Sequence, residues 1–142
     1  MGTTTALSVS EMVHLPTRRV WALLTDWAAA PAWMPGITEM HANGPTEAGM
    51  TIDFHSGGHE RNATVTALLA ERSITISHGA GDIQTNYLYE LAPDGDDTLL
   101  TLTVDVVVTE TLAEMAPEIR DEVARADADQ LAAFKQFAES AP

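Results

Sequence analysis

Between Ile37 and Val108 apolar and polar residues alternate in six consecutive segments, and from Glu110 to Ser140 the alternation gives way to a spacing of three and four. Alternation sends successive side chains to opposite faces of a strand, whereas spacing by three and four aligns them on one face of a helix. The alternating segments are Ile37 to Ala42, Met50 to His55, Asn62 to Leu69, Ser73 to His78, Gln84 to Leu91 and Leu99 to Val108. Four turn-forming clusters, Asn43-Gly44-Pro45, Ser56-Gly57-Gly58, Gly79-Ala80-Gly81-Asp82 and Pro93-Asp94-Gly95-Asp96-Asp97, supply the positive φ angles and side-chain hydrogen bonds that hairpins need. The pattern predicts a six-strand antiparallel meander. One long amphipathic helix should follow it, with Leu112, Met115, Ile119, Val123, Ala126, Gln130, Ala133 or Phe134, and Phe137 along its buried stripe and an irregular start near Pro117.

Ahead of the meander, Leu7, Val9 and Met12 suggest a first strand over Ala6 to Met12. Val20, Trp21, Leu23 and Leu24 then recur at helical spacing behind Pro16, a residue tolerated in a first turn. A second short helical piece, Trp27 to Pro35, is interrupted by Pro31 and stopped by Pro35-Gly36. The expected class is therefore α+β: a curved seven-stranded antiparallel sheet around a long C-terminal helix, with two short helices after the first strand. At 142 residues the chain fits one domain, 1–142. A helix of about 30 residues is ~45 Å long, and a sheet that flanks it encloses more volume than one helix fills, so an internal cavity is expected.

Seven Lys and Arg stand against 21 Asp and Glu, a formal charge of −14 that repels phosphate backbones and anionic membrane surfaces. Nucleic acid is an unsuitable partner. The absence of cysteine excludes disulfides and thiolate chemistry. No apolar run reaches the roughly 18 residues of a membrane span, and no basic-then-apolar leader precedes the first strand, so a cytoplasmic protein without membrane insertion is expected.

Two local strings sharpen the fold. Val20-Trp21-Ala22-Leu23-Leu24-Thr25-Asp26 followed by Pro31-Ala32-Trp33-Met34-Pro35-Gly36 resembles the helix-loop-helix opening of the START-like (SRPBCC) superfamily, and Tyr87-Leu88-Tyr89-Glu90-Leu91 before an Asp-Gly turn and Thr98 resembles its penultimate hairpin. That superfamily has the helix-grip fold of the birch-pollen-allergen type and includes polyketide cyclases/dehydrases, lipid-transfer domains and activators of heat-shock ATPases. The resemblance covers nearly the whole chain. It implies fold more than function.

Strand parity indicates which side chains face inward. Met50, Ile52 and Phe54 form one inward set, and Ala63, Val65, Ala67 and Leu69 another, which extended backward brings in Arg61 and His59. Ile74 and Ile76 lead to His78; Leu91 leads back through Tyr89 and Tyr87 to Thr85; Leu100, Leu102, Val104, Val106 and Val108 complete the inner face. Trp33, Met34, Met115 and Ile119 are expected at the entrance. A single β-bulge would reverse every assignment beyond it.

The resemblance and the parity together suggest a hydrophobic small molecule, aromatic, polyketide or lipid-like, as partner, held without a cofactor or metal by a monomer or homodimer. Arg61 reads either as a strand-end residue reaching water or as an anchor for a carboxylate, phenolate or enolate. His78 reads either as a surface histidine or as a proton-transfer group, and Tyr87 either as a packing residue with a hydrogen-bonded hydroxyl or as a hydroxyl that stabilises an enolate. The functions this leaves are cofactor-free cyclisation, dehydration or aromatisation, noncatalytic carriage or sensing, and a protein-interaction role. His55-Ser-Gly-Gly-His59 has a spacing seen in helical metal sites, but its glycines specify a turn; Gly79-Ala80-Gly81 is too short for a phosphate loop, and Asp94, Asp96 and Asp97 lack the late acidic ligand of a calcium loop.

Overall fold

The computed structural model describes residues 2–34 and 36–140. Strand β1 (Gly2–Val13) leads into helix α1 (Thr17–Leu24) and a 3₁₀ segment, Trp27–Ala32. The meander follows as β2 (Ile37–Ala42), β3 (Thr51–Ser56), β4 (His59–Leu69), β5 (Ser73–Ala80), β6 (Ile83–Asp94) and β7 (Asp97–Val108). The seven strands form one antiparallel sheet in the order β1-β7-β6-β5-β4-β3-β2. The expected stop at Pro35 lies outside the described residues.

Turn chemistry sets the registers. Gly57 and Gly58, with φ of 59° and 80°, close the β3–β4 hairpin between Ser56 and His59, where a side chain would strain the backbone. His55 and His59 consequently lie on facing strands of a hairpin rather than on one helical face. Bulges fall between Thr5 and Leu7 in β1, between Ile37 and Glu39 in β2, and between Val65 and Ala67 in β4, and such insertions bend a strand and add twist.

The third bulge corrects the parity reading. Val65 pairs with Ile76 but Ala67 pairs with Thr75, so Thr66 is the extra residue and everything after it changes face. Ala67 is exposed, Leu68 is half-buried and Leu69 stands 66% exposed on the outer surface. In β7, by contrast, the alternation runs unbroken: Leu100, Leu102, Val104, Val106 and Val108 are all buried.

The C-terminal segment is helical but not one helix. A 3₁₀ stretch, Glu110–Met115, with a non-helical Leu112 (φ −110°, ψ 15°), precedes α2 (Ala116–Asp127) and α3 (Gln130–Ser140). Pro117 sits in the first turn of α2, where its missing N–H costs nothing. No glycine or proline lies at the Ala128–Asp129 break, and Ala128 keeps helical angles (φ −55°, ψ −36°). Among the described residues no helix is long and apolar enough to cross a membrane.

The core is concentrated at one side of the sheet. Val20 and Leu24 of α1 and Leu131, Phe134 and Ala138 of α3 join Val13, Leu100, Leu102 and Val104 in one buried cluster. Phe134 meets Trp33 edge to face at 4.9 Å, a favoured aromatic geometry. Thr98, fully buried, donates from Oγ1 to the Leu15 carbonyl at 2.9 Å and lies 3.2 Å from Thr17 Oγ1, tying the start of α1 to β7. Lys135 Nζ on α3 donates to the Met12 carbonyl and to Glu139 Oε2, which also accepts the His14 backbone N–H. These links fix α3 against β1. The inner face of β3 to β6 is left with less to cover it.

Candidate functional site

A pocket of about 400 Å³ lies where that inner face meets α2 and the start of α3. Its apolar wall is made by Ile52 and Phe54 of β3, Ala63 of β4, Ile76 of β5, Val123 and Ala126 of α2, and Trp27, Met34, Ile37 and Met40. Ser56, Arg61, His78, Thr85, Tyr87, Tyr89, Asp127 and Gln130 supply the polar points.

Four of these residues form one hydrogen-bonded chain. Tyr89 Oη donates to Gln130 Oε1, Gln130 Nε2 donates to Asp127 Oδ1 at 3.1 Å, and Tyr87 Oη donates to Asp127 Oδ2 at 3.0 Å. Asp127 and Gln130 flank the break between α2 and α3, so the chain joins that break to β6. With Asp127 ionised its oxygens only accept, which turns the Gln130 amide NH₂ toward it and leaves the Gln130 carbonyl to accept from Tyr89. Burial raises the Asp127 carboxyl above the usual range, while the bonds from Tyr87 and Gln130 act in the opposite direction. Tyr87 is pushed up by burial, then by the charge and hydrogen bond of Asp127. Tyr89 is pushed up by burial first and by Tyr87 and Asp127 next. Both phenols therefore stay protonated near neutral pH.

His78 stacks on the Tyr87 ring, 5.6 Å between centroids and 17° from parallel, and meets Phe54 edge-on at 5.8 Å. Burial lowers its pKa below 6.5 and the positive charge of Arg61 lowers it further, so the imidazole is neutral at pH 7. Arg61 itself is exposed on the first half of β4, opposite Phe54. The β4–β5 ladder ends at Thr64–Ser77, so His78 lies one residue and Arg61 three residues past its last pair.

The structure gathers Arg61, His78, Tyr87 and Tyr89 on this pocket together with Met34, Ile52, Phe54 and Ile76. Eight other expected residues are elsewhere. Val65, Leu102 and Val104 do point inward, but they are fully buried in the packed core and do not border the pocket. Met50, ahead of β3, is buried with its sulfur accepting the Glu47 N–H at 3.4 Å. Trp33 is packed against Phe134 and Tyr89 rather than placed at an entrance, and its buried Nε1 has no hydrogen-bond partner. His59 is exposed because it forms the end of the β3–β4 turn. Met115 is 48% exposed at the end of the 3₁₀ stretch, and Ile119 is half-buried, one turn of α2 short of the pocket.

Asp127 and Gln130 were not anticipated as site residues. The available signal was a glutamine occupying an apolar stripe: Val123, Ala126 and Gln130 share one helical face, and a polar side chain there needs an interior partner. Nothing in the spacing identified Tyr89 as that partner. Trp27 is held by a bond from Nε1 to Thr46 Oγ1 at 3.1 Å, a contact to a loop residue that local sequence does not reveal.

A curved antiparallel sheet closed by a C-terminal helical segment, with a mostly apolar pocket between them, defines the helix-grip class of ligand-binding proteins. Within that class the chain belongs to the family described as polyketide cyclase / dehydrase and lipid transport, whose model matches residues 4–138. Solved structures with the same fold include the Zhui aromatase/cyclase from Streptomyces sp. R1128, 18% identical over 97% of this chain and 94% of that one, with a TM-score of 0.74. A START superfamily protein from Mycobacterium smegmatis is 19% identical over 94% of this chain and 96% of its own, with a TM-score of 0.73. Truncated norcoclaurine synthase from Thalictrum flavum is 16% identical over 99% and 96%, with a TM-score of 0.69. A comparison with curated proteins finds no match.

Proposed function

We propose that this chain binds a hydrophobic small molecule bearing a carbonyl or phenol in the pocket and promotes its cofactor-free cyclisation, dehydration or aromatisation. One observation carries the reading: Arg61, His78, Tyr87 and Asp127 converge on one pocket whose remaining wall is largely apolar. A pocket used for carriage alone has no need of a half-buried neutral histidine within the field of a guanidinium. The similarity to an aromatase/cyclase is in keeping with the proposal and supports it at the level of fold.

In this reaction the apolar wall folds a flexible substrate, supplying orientation rather than a nucleophile. His78 Nε2 or Nδ1 takes a proton from carbon next to the carbonyl, a role that fits a neutral imidazole and is worth about 10²–10⁴-fold in rate. The charge gathers on the carbonyl oxygen, where Arg61 stabilises it. Tyr87, stacked under His78 and bonded to Asp127, keeps the imidazole plane in position.

Native mass spectrometry of the purified protein tests the binding half, with a stoichiometric co-purified hydrophobic compound as the expected result. Arg61→Ala and His78→Ala should weaken retention or turnover of that compound. If both variants hold and convert it as the parent does, the polar centre assigned here is wrong.

A further inference from the structure

Among the described residues Asp127 is the only buried acid, with 8% of its surface exposed. Both of its oxygens accept hydrogen bonds, but the donors, Tyr87 and Gln130, are neutral. None of the ion pairs among the described residues involves it. A carboxylate withdrawn from water without a cation is costly, and proteins that keep one usually pair it. Each carboxylate oxygen offers two lone pairs and has one donor, so one acceptor direction on each remains.

The surroundings suit a positive charge. Trp27, Phe54, Tyr87 and Tyr89 border the same pocket, and aromatic rings attract cations through their faces. Arg61 is the pocket's own cation, and His78 lies within its field. The Tyr87 ring carries His78 against its face and Asp127 at its hydroxyl. Tyr89 fixes the Gln130 amide, so the acceptor is held in place before any ligand arrives. The formal charge of −14 concentrates cations around the molecule.

We propose that the pocket takes a ligand whose basic nitrogen, carried as an ammonium on an apolar or aromatic body, docks on Asp127. The inference rests on the pocket being a binding site for hydrophobic small molecules, and it requires no chemistry there. In this reading Asp127 sets which amphiphile is admitted, and Gln130 and Tyr89 position it.

The experiment is a calorimetric titration near neutral pH with three probes of one shape: naphthylethylamine, naphthylethanol and naphthylacetate. The amine should bind about tenfold or more tighter than the alcohol, the gain expected for a hydrogen bond to a charged group, and the acid should bind more weakly than the alcohol. Asp127→Asn should bring the amine to within about twofold of the alcohol, with its circular dichroism spectrum and melt reporting that the variant is folded. Equal binding of amine and alcohol to the parent protein overturns the amine site and leaves the pocket reading standing, as does tightest binding of naphthylacetate, which would make Arg61 the anchor. Failure of all three probes to bind overturns both.

Discussion

Tyr89→Phe removes one hydroxyl and nothing else, at a position with 2% exposure. The loss leaves the Gln130 carbonyl buried without its donor and frees the amide that Tyr89 had fixed against Asp127. An unmet buried polar group costs about 1–3 kcal/mol. With an unfolding entropy of about 2.1 cal/mol/K per residue, the 142-residue chain loses about 3 °C of Tm per kcal/mol, so Tyr89→Phe should lower Tm by about 3–10 °C. Gln130→Leu strands the Tyr89 hydroxyl and strips one of the two donors from Asp127, so its loss should be the larger. In the double variant the Tyr89 and Gln130 polar groups leave together. Its loss should fall short of the sum of the singles by about 1–2 kcal/mol. Thermal melts of the four proteins by circular dichroism decide the matter. A Tyr89→Phe protein melting within about 1 °C of the parent, or strict additivity in the cycle, would mean that these groups are solvated and that no preorganised chain supports Asp127.

The remaining expectations concern the bulge and His78. Ala67→Lys and Leu69→Lys should each change stability by no more than about 0.5 kcal/mol, whereas Val65→Lys should prevent folding; a collapse with Ala67→Lys in a urea melt would put that residue back in the interior. Burial and Arg61 lower the folded pKa of His78, so the folded protein binds fewer protons than the unfolded chain once pH falls below the ordinary value of 6.5. Stability from this group is full above that value and declines as pH drops through it toward the folded pKa, by at most about 1.4 kcal/mol per pH unit. Urea midpoints measured across that window should show a shallower acid-side decline in His78→Asn, and parallel curves would contradict the assignment.

Legibility in the sequence followed the range of the forces involved. Alternation and turn residues act within a hairpin, and they located all six meander strands; in β7 even the buried set from Leu100 to Val108 was readable. The bulge at Thr66 could not be seen, because an extra threonine in a run of alternating residues leaves no local mark, and it turned Ala67 and Leu69 outward. Parity separated inner from outer faces but not hollow from filled. Leu102 and Val104 share a face with Tyr87 and Tyr89, yet the two β7 residues are sealed in the packed core while the two tyrosines border the pocket. The helix stripe contained Gln130 without showing its purpose, and Asp127 next to it gains its meaning only from Tyr87, 40 residues away in the chain.

The pocket between β3–β6 and α2 is the proposed place where a hydrophobic molecule binds. Methyl-resolved NMR during titration with naphthylethanol tests it directly. Saturable shifts at Ile37, Ile52, Ile76 and Val123, with Leu69 and Leu99 on the outer face and Leu102 in the sealed core unmoved, are the predicted result. Shifts centred on Leu69 and Leu99, or none at any of these methyls, would contradict it.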